Sequence, residues 1–300
     1  MPEGDTVWRT AQRLDAALRG TQLTRAELRW GALIDADLVG ATTVEVVSRG
    51  KHLLHRLDSG LTVHSHLRME GQWRIEATSG LTARALANHQ LRALLATDTW
   101  AALGLRLGML DLIETAREGD LVGHLGPDVL GPDWDSAEAI RRVHGSGVSI
   151  GEALLDQRNL AGVGTMYAAE SLFVQALPPW RAAAELREEE IRALIARVHR
   201  MLDTGRAHAI QSTTGDRRLG STTYVHGRSG KPCRRCGMPV RVAMIGIAPR
   251  DRTMFYCPTC QGGLGPTDDG RRQRPLGTSP SRRSSDYRGC LLYTSDAADE

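Results

Sequence analysis

The chain has 300 residues, of which 41% are hydrophobic and 24% charged, with a formal net charge of +3. This length suggests roughly two domains, and the hydrophobic share is enough for real cores. No apolar run approaches the ~20 residues of a membrane span, and a charge this close to neutral does not by itself specify a nucleic-acid partner.

The chain opens "MPEGDTVW". A small residue at position 2 favours removal of Met1, which would leave Pro2 as a secondary amine. An α-amino group has a pKa of roughly 7.7–8.0, so part of it is neutral near pH 7. Such an amine can attack an aldehyde carbon to form an iminium, and Glu3 can move protons beside it. On these eight residues alone, an ordinary chain start is the simpler reading. Glu3, Asp5, Arg9, Arg13 and Asp15 interrupt the first thirty residues, so no secretion signal is expected there and the protein is expected to be cytoplasmic.

Residues 5–19 are predicted to be a helix capped by Asp5 or Thr6. Val7, Ala11, Leu14 and Leu18 form its apolar stripe, and Gly20 follows its end. From 22 to 114 the pattern becomes short and strand-like. The "DSG" turn at 58–60 predicts a hairpin between 53–57 and 61–65. Lys51 is expected on the first strand of that hairpin. Lys and Arg together number 38, yet only Lys51 and Lys231 are lysine. Arginine bias of this kind usually reflects a GC-rich genome. It still draws attention to Lys51, because lysine exchanges protons where arginine does so poorly.

A helix followed by many antiparallel strands predicts a β-sandwich with a flanking helix over residues 1–120. The Gly- and Pro-rich segment 121–135 reads as a linker. A helical domain is predicted over 136–223. It includes a capping box at Ser149 and Glu152, a glycine turn "RNLAGVG", a helix in "TMYAAESLFVQA" and a longer one in "ELREEEIRALIARVHRMLDTG".

Cys233, Cys236, Cys257 and Cys260 follow the spacing C-x2-C-x20-C-x2-C. Two such knuckles suit tetrahedral Zn²⁺, and four thiolates leave no open position for a catalytic water. One structural Zn²⁺ is therefore expected in a zinc ribbon over 224–262. Arg250 and Arg252 fall near the tip of the hairpin between the knuckles, where they suit either phosphate contact or a solvated turn. Residues 263–300, including Cys290, lack periodicity and read as a disordered tail whose sequence resembles out-of-frame read-through.

In this order, "PEG" at 2–4, "RGKHLL" at 49–54, "GPDVL" at 126–130, "LLDQR…AGVG" at 154–164 and "VHGRSGKPCRRCG…FYCPTCQ" at 225–261 resemble the formamidopyrimidine-DNA glycosylase/endonuclease VIII family. The likeness spans about residues 2–262, and the "PEGDTVW" start is most similar to the actinobacterial endonuclease VIII branch. The resemblance implies an α+β multidomain fold with an N-terminal β-sandwich, a helix–two-turn–helix domain and a C-terminal zinc ribbon. It implies a bifunctional DNA glycosylase and AP lyase of base-excision repair. Pro2 would attack C1′ of the damaged nucleotide, Glu3 would protonate the sugar ring oxygen, and Lys51 would assist β-elimination. Arg252 would grip phosphates around the lesion, and Met69 would fill the space left by the extruded base. On the residues alone, Met69 reads as a core residue of a strand. Gly162, Gly164 and Thr165 would bind phosphate through the turn that opens the following helix. His89 and His124 align loosely with DNA contacts, though a structural role suits each equally.

The sequence also departs from the family pattern. Thr165 stands where the family usually has Asn, and Thr6 where it often has Glu. Residues 96–108 contain no counterpart of the Arg-x-Phe pair of the formamidopyrimidine branch. The expected partner is double-stranded DNA containing oxidised bases or abasic sites, bound by a monomer, with oxidised pyrimidines ahead of 8-oxoguanine or formamidopyrimidines. A zinc-ribbon protein that binds damaged DNA without cutting it is the competing reading.

Overall fold

The structure is a computed structural model that describes residues 2–275. Its chain divides into two compact units. One comprises 1–134 with 202–209, and the other comprises 135–201 with 210–300.

In the first unit, α1 (Gly4–Leu18) buries Val7, Ala11, Leu14 and Leu18 as one stripe. It begins one residue earlier than the sequence pattern suggests, with Glu3 rather than Asp5 or Thr6 at the N-cap. Gly20 has φ +72° and ends the helix, donating its N–H to Thr43 O at 2.8 Å. Eight strands follow: β1 (Arg25–Leu28), β2 (Thr43–Arg49), β3 (His52–Leu57), β4 (Leu61–His66), β5 (Gln72–Ala77), β6 (Leu91–Ala96), β7 (Trp100–Leu105) and β8 (Met109–Glu114), with short helices α2 (Ala83–Leu86) and α3 (Gly119–Val122). They form two antiparallel sheets, ordered β1-β6-β7-β5 and β2-β3-β4-β8.

Alternation of side chains along each strand explains the layers. Leu53, Leu57, Val63 and Leu110 face a core shared with α1 and with Leu95 and Ala102. The opposite face of β3, β4 and β8 carries His52, Arg56, Thr62, His64, His66 and Asp111. That polar face is covered in part by the chain after β8. Arg56 pairs with Glu118 at 2.7 Å, and Thr62 donates to the same carboxylate at 2.7 Å.

Lys51 is not on a strand. Arg49 and His52 are paired, so Gly50 and Lys51 form a two-residue hairpin loop. Gly50 has φ +60°, which suits glycine at the first central position of a II′ turn.

In the second unit, α4 (Ser136–His144) is capped by Asp135, whose carboxylate accepts the Ala137 and Glu138 N–H groups. Helix α5 (Ile150–Leu155) carries the expected capping box of Ser149 and Glu152. Helix α6 (Thr165–Val174) is buried on every side from Thr165 to Phe173, and α7 (Glu188–Arg206) is the long helix, of which 188–201 belong to this unit and the remainder to the first. A two-stranded ribbon, β9 (Arg241–Ile245) against β10 (Arg252–Tyr256), completes the unit.

The tail expected to be disordered from 263 instead packs on this ribbon as far as it is described. Asp268 pairs with Arg241 and accepts the Tyr256 hydroxyl at 2.6 Å, while Gln273 bonds the Val242 N–H at 2.8 Å and its C=O at 2.7 Å. Burial and the Asp268 carboxylate push the Tyr256 hydroxyl up to about 12. These partners lie 12 to 31 residues apart, which is why local composition hid them. Residues 276–300, with Cys290, lie outside the described residues. No described helix is long and apolar enough to cross a membrane.

Candidate active site and metal centre

Helix α1 and strand β2 run antiparallel. Gly20 meets Thr43, and Asp15 accepts the Val46 N–H at 2.7 Å. From Asp15 back to Gly4 the helix rises ~16 Å, and from Val46 strand β2 advances the same way ~10 Å to Arg49 before the Gly50–Lys51 turn. The Pro2–Glu3 end of α1 and the Gly50–Lys51 turn therefore point toward the same end of the sandwich. The Glu3 side chain belongs to a residue only 1% exposed, whereas Pro2 and Lys51 are half-buried. An amine, a buried carboxyl and an ammonium so arranged have the parts needed for iminium chemistry with proton transfer.

The Lys51 turn is held from behind by the "GPDVL" segment. Asp128 is buried and accepts the Gly50 N–H at 2.8 Å and the Leu130 N–H at 3.1 Å, while Arg49 donates to Gly126 O at 2.9 Å. Burial raises the Asp128 carboxyl above its usual range, against the pull of the two N–H groups. In the sequence, "GPDVL" carries family resemblance and no sign of this contact. Its contact with residue 50 crosses 78 positions.

Beyond Lys51, sequence reasoning missed a histidine cluster. Cross-strand register brings His52 opposite His66 and His64 opposite Asp111. His52 Nδ1 lies 2.8 Å from His64 Nε2, and His64 Nδ1 lies 2.8 Å from Asp111 Oδ2. The His52 and His66 rings meet edge to face at 5.0 Å. Burial, then the charges of neighbouring groups including Lys51, hold His52 near 2 and His66 near 3. Burial also takes His55, bonded to Thr43 on the other face, to about 4. The available signal was "VHSHL", whose alternation sends both histidines to one face of a strand.

These depressed values make a stability prediction. Unfolded histidines titrate near 6.5, so between that pH and the folded values the unfolded chain binds more protons. The contribution of the three imidazoles is complete above pH ~6.5 and is lost progressively as the pH falls below it, down through the folded values of about 4, 3 and 2. The melting temperature should drop by more than about 5 °C between pH 7 and pH 5. Calorimetry showing a flat profile over that interval would contradict neutral buried histidines.

Met69 lies in the tight turn after β4 and is 40% exposed, so the core reading does not hold. Arg68 in this turn has φ +49°, and a Cβ on Gly71 would meet Leu67 O at 2.4 Å. Non-glycine residues at positive φ store strain that is typical of functional turns. His89 and His124 are both exposed.

In the second unit, Gly162 has φ +99° and gives its N–H to Gln157 Oε1 at 3.0 Å. That amide shapes the turn and is not available to a phosphate. Gly164 caps α6, and Thr165 is buried at its start. The Glu170 carboxylate, deep in α6, accepts the N–H groups of Tyr224, Val225 and His226 at 2.7–2.8 Å, anchoring the approach to the ribbon. Arg252 opens β10, and its Nη1 donates to Arg250 O and Asp251 O at 3.1 and 3.2 Å.

The four cysteines converge as their spacing predicts. All four Sγ atoms lie within 4.8 Å of one another, with Cys233 and Cys260 4.0 Å apart and Cys236 and Cys257 3.5 Å apart. Tetrahedral Zn–S bonds of ~2.3 Å imply S–S separations of ~3.8 Å, so this donor set fits the ion.

Residues 1–109 match the formamidopyrimidine-DNA glycosylase N-terminal domain, and 125–216 match the formamidopyrimidine-DNA glycosylase H2TH domain. A probable endonuclease 8 2 of Streptomyces coelicolor is 46% identical, covering 90% of this chain and 98% of its own. The DNA-(apurinic or apyrimidinic site) lyase Nei2 of Mycolicibacterium smegmatis is 41% identical, covering 87% and 99%. Among solved structures, the MutM (Fpg) protein of Thermus thermophilus is 30% identical with a TM-score of 0.70, covering 88% of this chain and all of its own. With these relatives, its two sheets, its helical unit and its cysteine cluster, this chain belongs to the formamidopyrimidine-DNA glycosylase/endonuclease VIII family.

Proposed function

We propose that this chain is a bifunctional DNA glycosylase and AP lyase of base-excision repair. It acts on oxidised bases in double-stranded DNA, with pyrimidines favoured, and on abasic sites. What supports the reading is the antiparallel register of α1 and β2, which directs the Pro2–Glu3 end of the helix and the Gly50–Lys51 turn toward the same end of the sandwich. The names of the actinobacterial relatives support the endonuclease VIII side of the family.

The Pro2 nitrogen bonds to C1′ of the damaged nucleotide as the base leaves. Glu3 gives a proton to the sugar ring oxygen, the ring opens, and loss of the amine proton leaves an iminium. Removal of a C2′ proton, assisted by Lys51, then expels the 3′ phosphate. Met69, on its strained turn, fills the space of the extruded base. Arg252 holds flanking phosphates, with further DNA contacts at His89, His124, Gly164 and Thr165. One structural Zn²⁺ held by Cys233, Cys236, Cys257 and Cys260 stabilises the ribbon that carries Arg252. The enzyme acts as a monomer in the cytoplasm.

Borohydride trapping on an abasic duplex tests the mechanism. Processed protein should become covalently attached, whereas protein carrying an N-terminal tag should bind the duplex but not trap. Trapping by a stably tagged chain would remove Pro2 as nucleophile. Binding without trapping by the processed chain would favour the non-catalytic reading. A panel of oxidised-pyrimidine and 8-oxoguanine duplexes tests the preferred lesion.

A further inference from the structure

Hydrogen-bond geometry joins two buried histidines and a carboxylate in one line. The Asp111 carboxylate can only accept, so His64 Nδ1 carries the proton in their 2.8 Å contact. His64 Nε2 meets His52 Nδ1 at 2.8 Å, and the two nitrogens share one proton. With that proton on His52 Nδ1, the starting state of the relay proposed below, His52 Nε2 is a lone pair outside this line. Burial keeps His52 neutral, helped by His66, His64, His124 and the adjacent Lys51. At the outer end the Asp111 side chain is 45% exposed, whereas that of His64 is fully buried. Glu118 also faces His64. It is already engaged by Arg56 and Thr62, so Asp111 is the carboxylate in line with the rings.

We propose that His52, His64 and Asp111 form a proton relay between the Lys51 corner of the active site and bulk water. A proton arriving at His52 Nε2 forms an N–H bond there while the Nδ1 proton passes to His64 Nε2. The His64 Nδ1 proton passes to the Asp111 carboxylate, which releases it to solvent. The two rings exchange tautomers, no imidazolium accumulates and no electrons change owner. The reverse passage returns a proton to the site and restores the starting tautomers. A chain of this kind suits a lyase, which must take up a proton from C2′ of its substrate and give one back before release. His66 is not a link, because its Nδ1 accepts the Arg68 N–H at 3.0 Å. The proposal rests on the glycosylase/lyase reading.

The test compares single-turnover cleavage of an abasic duplex with borohydride trapping on the same duplex, using the full chain. Asp111→Asn keeps an oxygen that accepts the His64 proton in a hydrogen bond but cannot bind that proton. It should slow cleavage about tenfold or more while trapping stays within about twofold, and Asp111→Glu should restore most of the rate. His52→Gln should show the same split, and the double variant should be no slower than either single one, as members of one chain are not additive. Cleavage by Asp111→Asn at the wild-type rate would overturn the relay, as would trapping and cleavage falling together. A wild-type chain that neither traps nor cuts would instead overturn the enzyme reading, and the relay with it.

Discussion

Glu3→Gln is expected to slow release of an oxidised base by about 10²–10⁴-fold, the range for loss of a positioned general acid. Strand cleavage at a preformed abasic site should change far less. Gln has nearly the shape of Glu, and residue 3 is 1% exposed at the N-cap of α1, where its carbonyl accepts the Thr6 and Val7 N–H groups at 2.9 and 3.1 Å. Those backbone bonds do not depend on the side chain, so the helix and the Pro2 amine should stay in place. The amide cannot protonate the sugar ring oxygen as the base departs. At an abasic site the base has already gone and the sugar can open to its aldehyde, so iminium formation at Pro2 proceeds. The measurement is single-turnover excision on an oxidised-pyrimidine duplex, set beside cleavage and trapping on an abasic duplex. An equal fall in all three would assign Glu3 a broader role than ring protonation.

Cys233→Ser should remove the metal and, with it, most DNA affinity. Cys233 is 4% exposed, and its Sγ lies 4.0 Å from that of Cys260. A serine oxygen is a poorer, harder donor, and a small ribbon draws much of its folding free energy from the ion. Arg252 begins the strand that leads directly to Cys257, so an unfolded ribbon no longer presents its guanidinium. Binding should weaken by more than about tenfold on every lesion, and the salt dependence of log K should become shallower. Metal analysis of the purified variant together with a salt titration checks both parts. Full zinc content in Cys233→Ser would show that the four thiols are not the ligand set.

The features legible in the sequence are those set by neighbours in the chain. The α1 stripe, the capping box at Ser149 and Glu152, the Asp58–Gly60 turn and the paired cysteine knuckles all arise within a few residues, where helical and strand periods, turn stereochemistry and ligand spacing act directly. The prominence of Pro2, Glu3 and Lys51 was legible for the same reason. Their chemistry is carried by residue type, and one lysine stands out among many arginines.

Tertiary structure decided what those residues have around them. Lys51 moved from a strand into a II′ turn because Arg49 pairs with His52, and Asp128 holds that turn from 78 positions away. The chain from Asp111 through His64 to His52 exists only because β3, β4 and β8 are neighbours in one register. A shift of one residue in either pairing would turn those rings to the other face of the sheet. Residues 263–275 resemble a solvated tail until Arg241 and Tyr256, buried at the ribbon, supply partners for Asp268. A buried charge is tolerated only when it is paired, and that pairing is a property of the folded surface rather than of the local sequence.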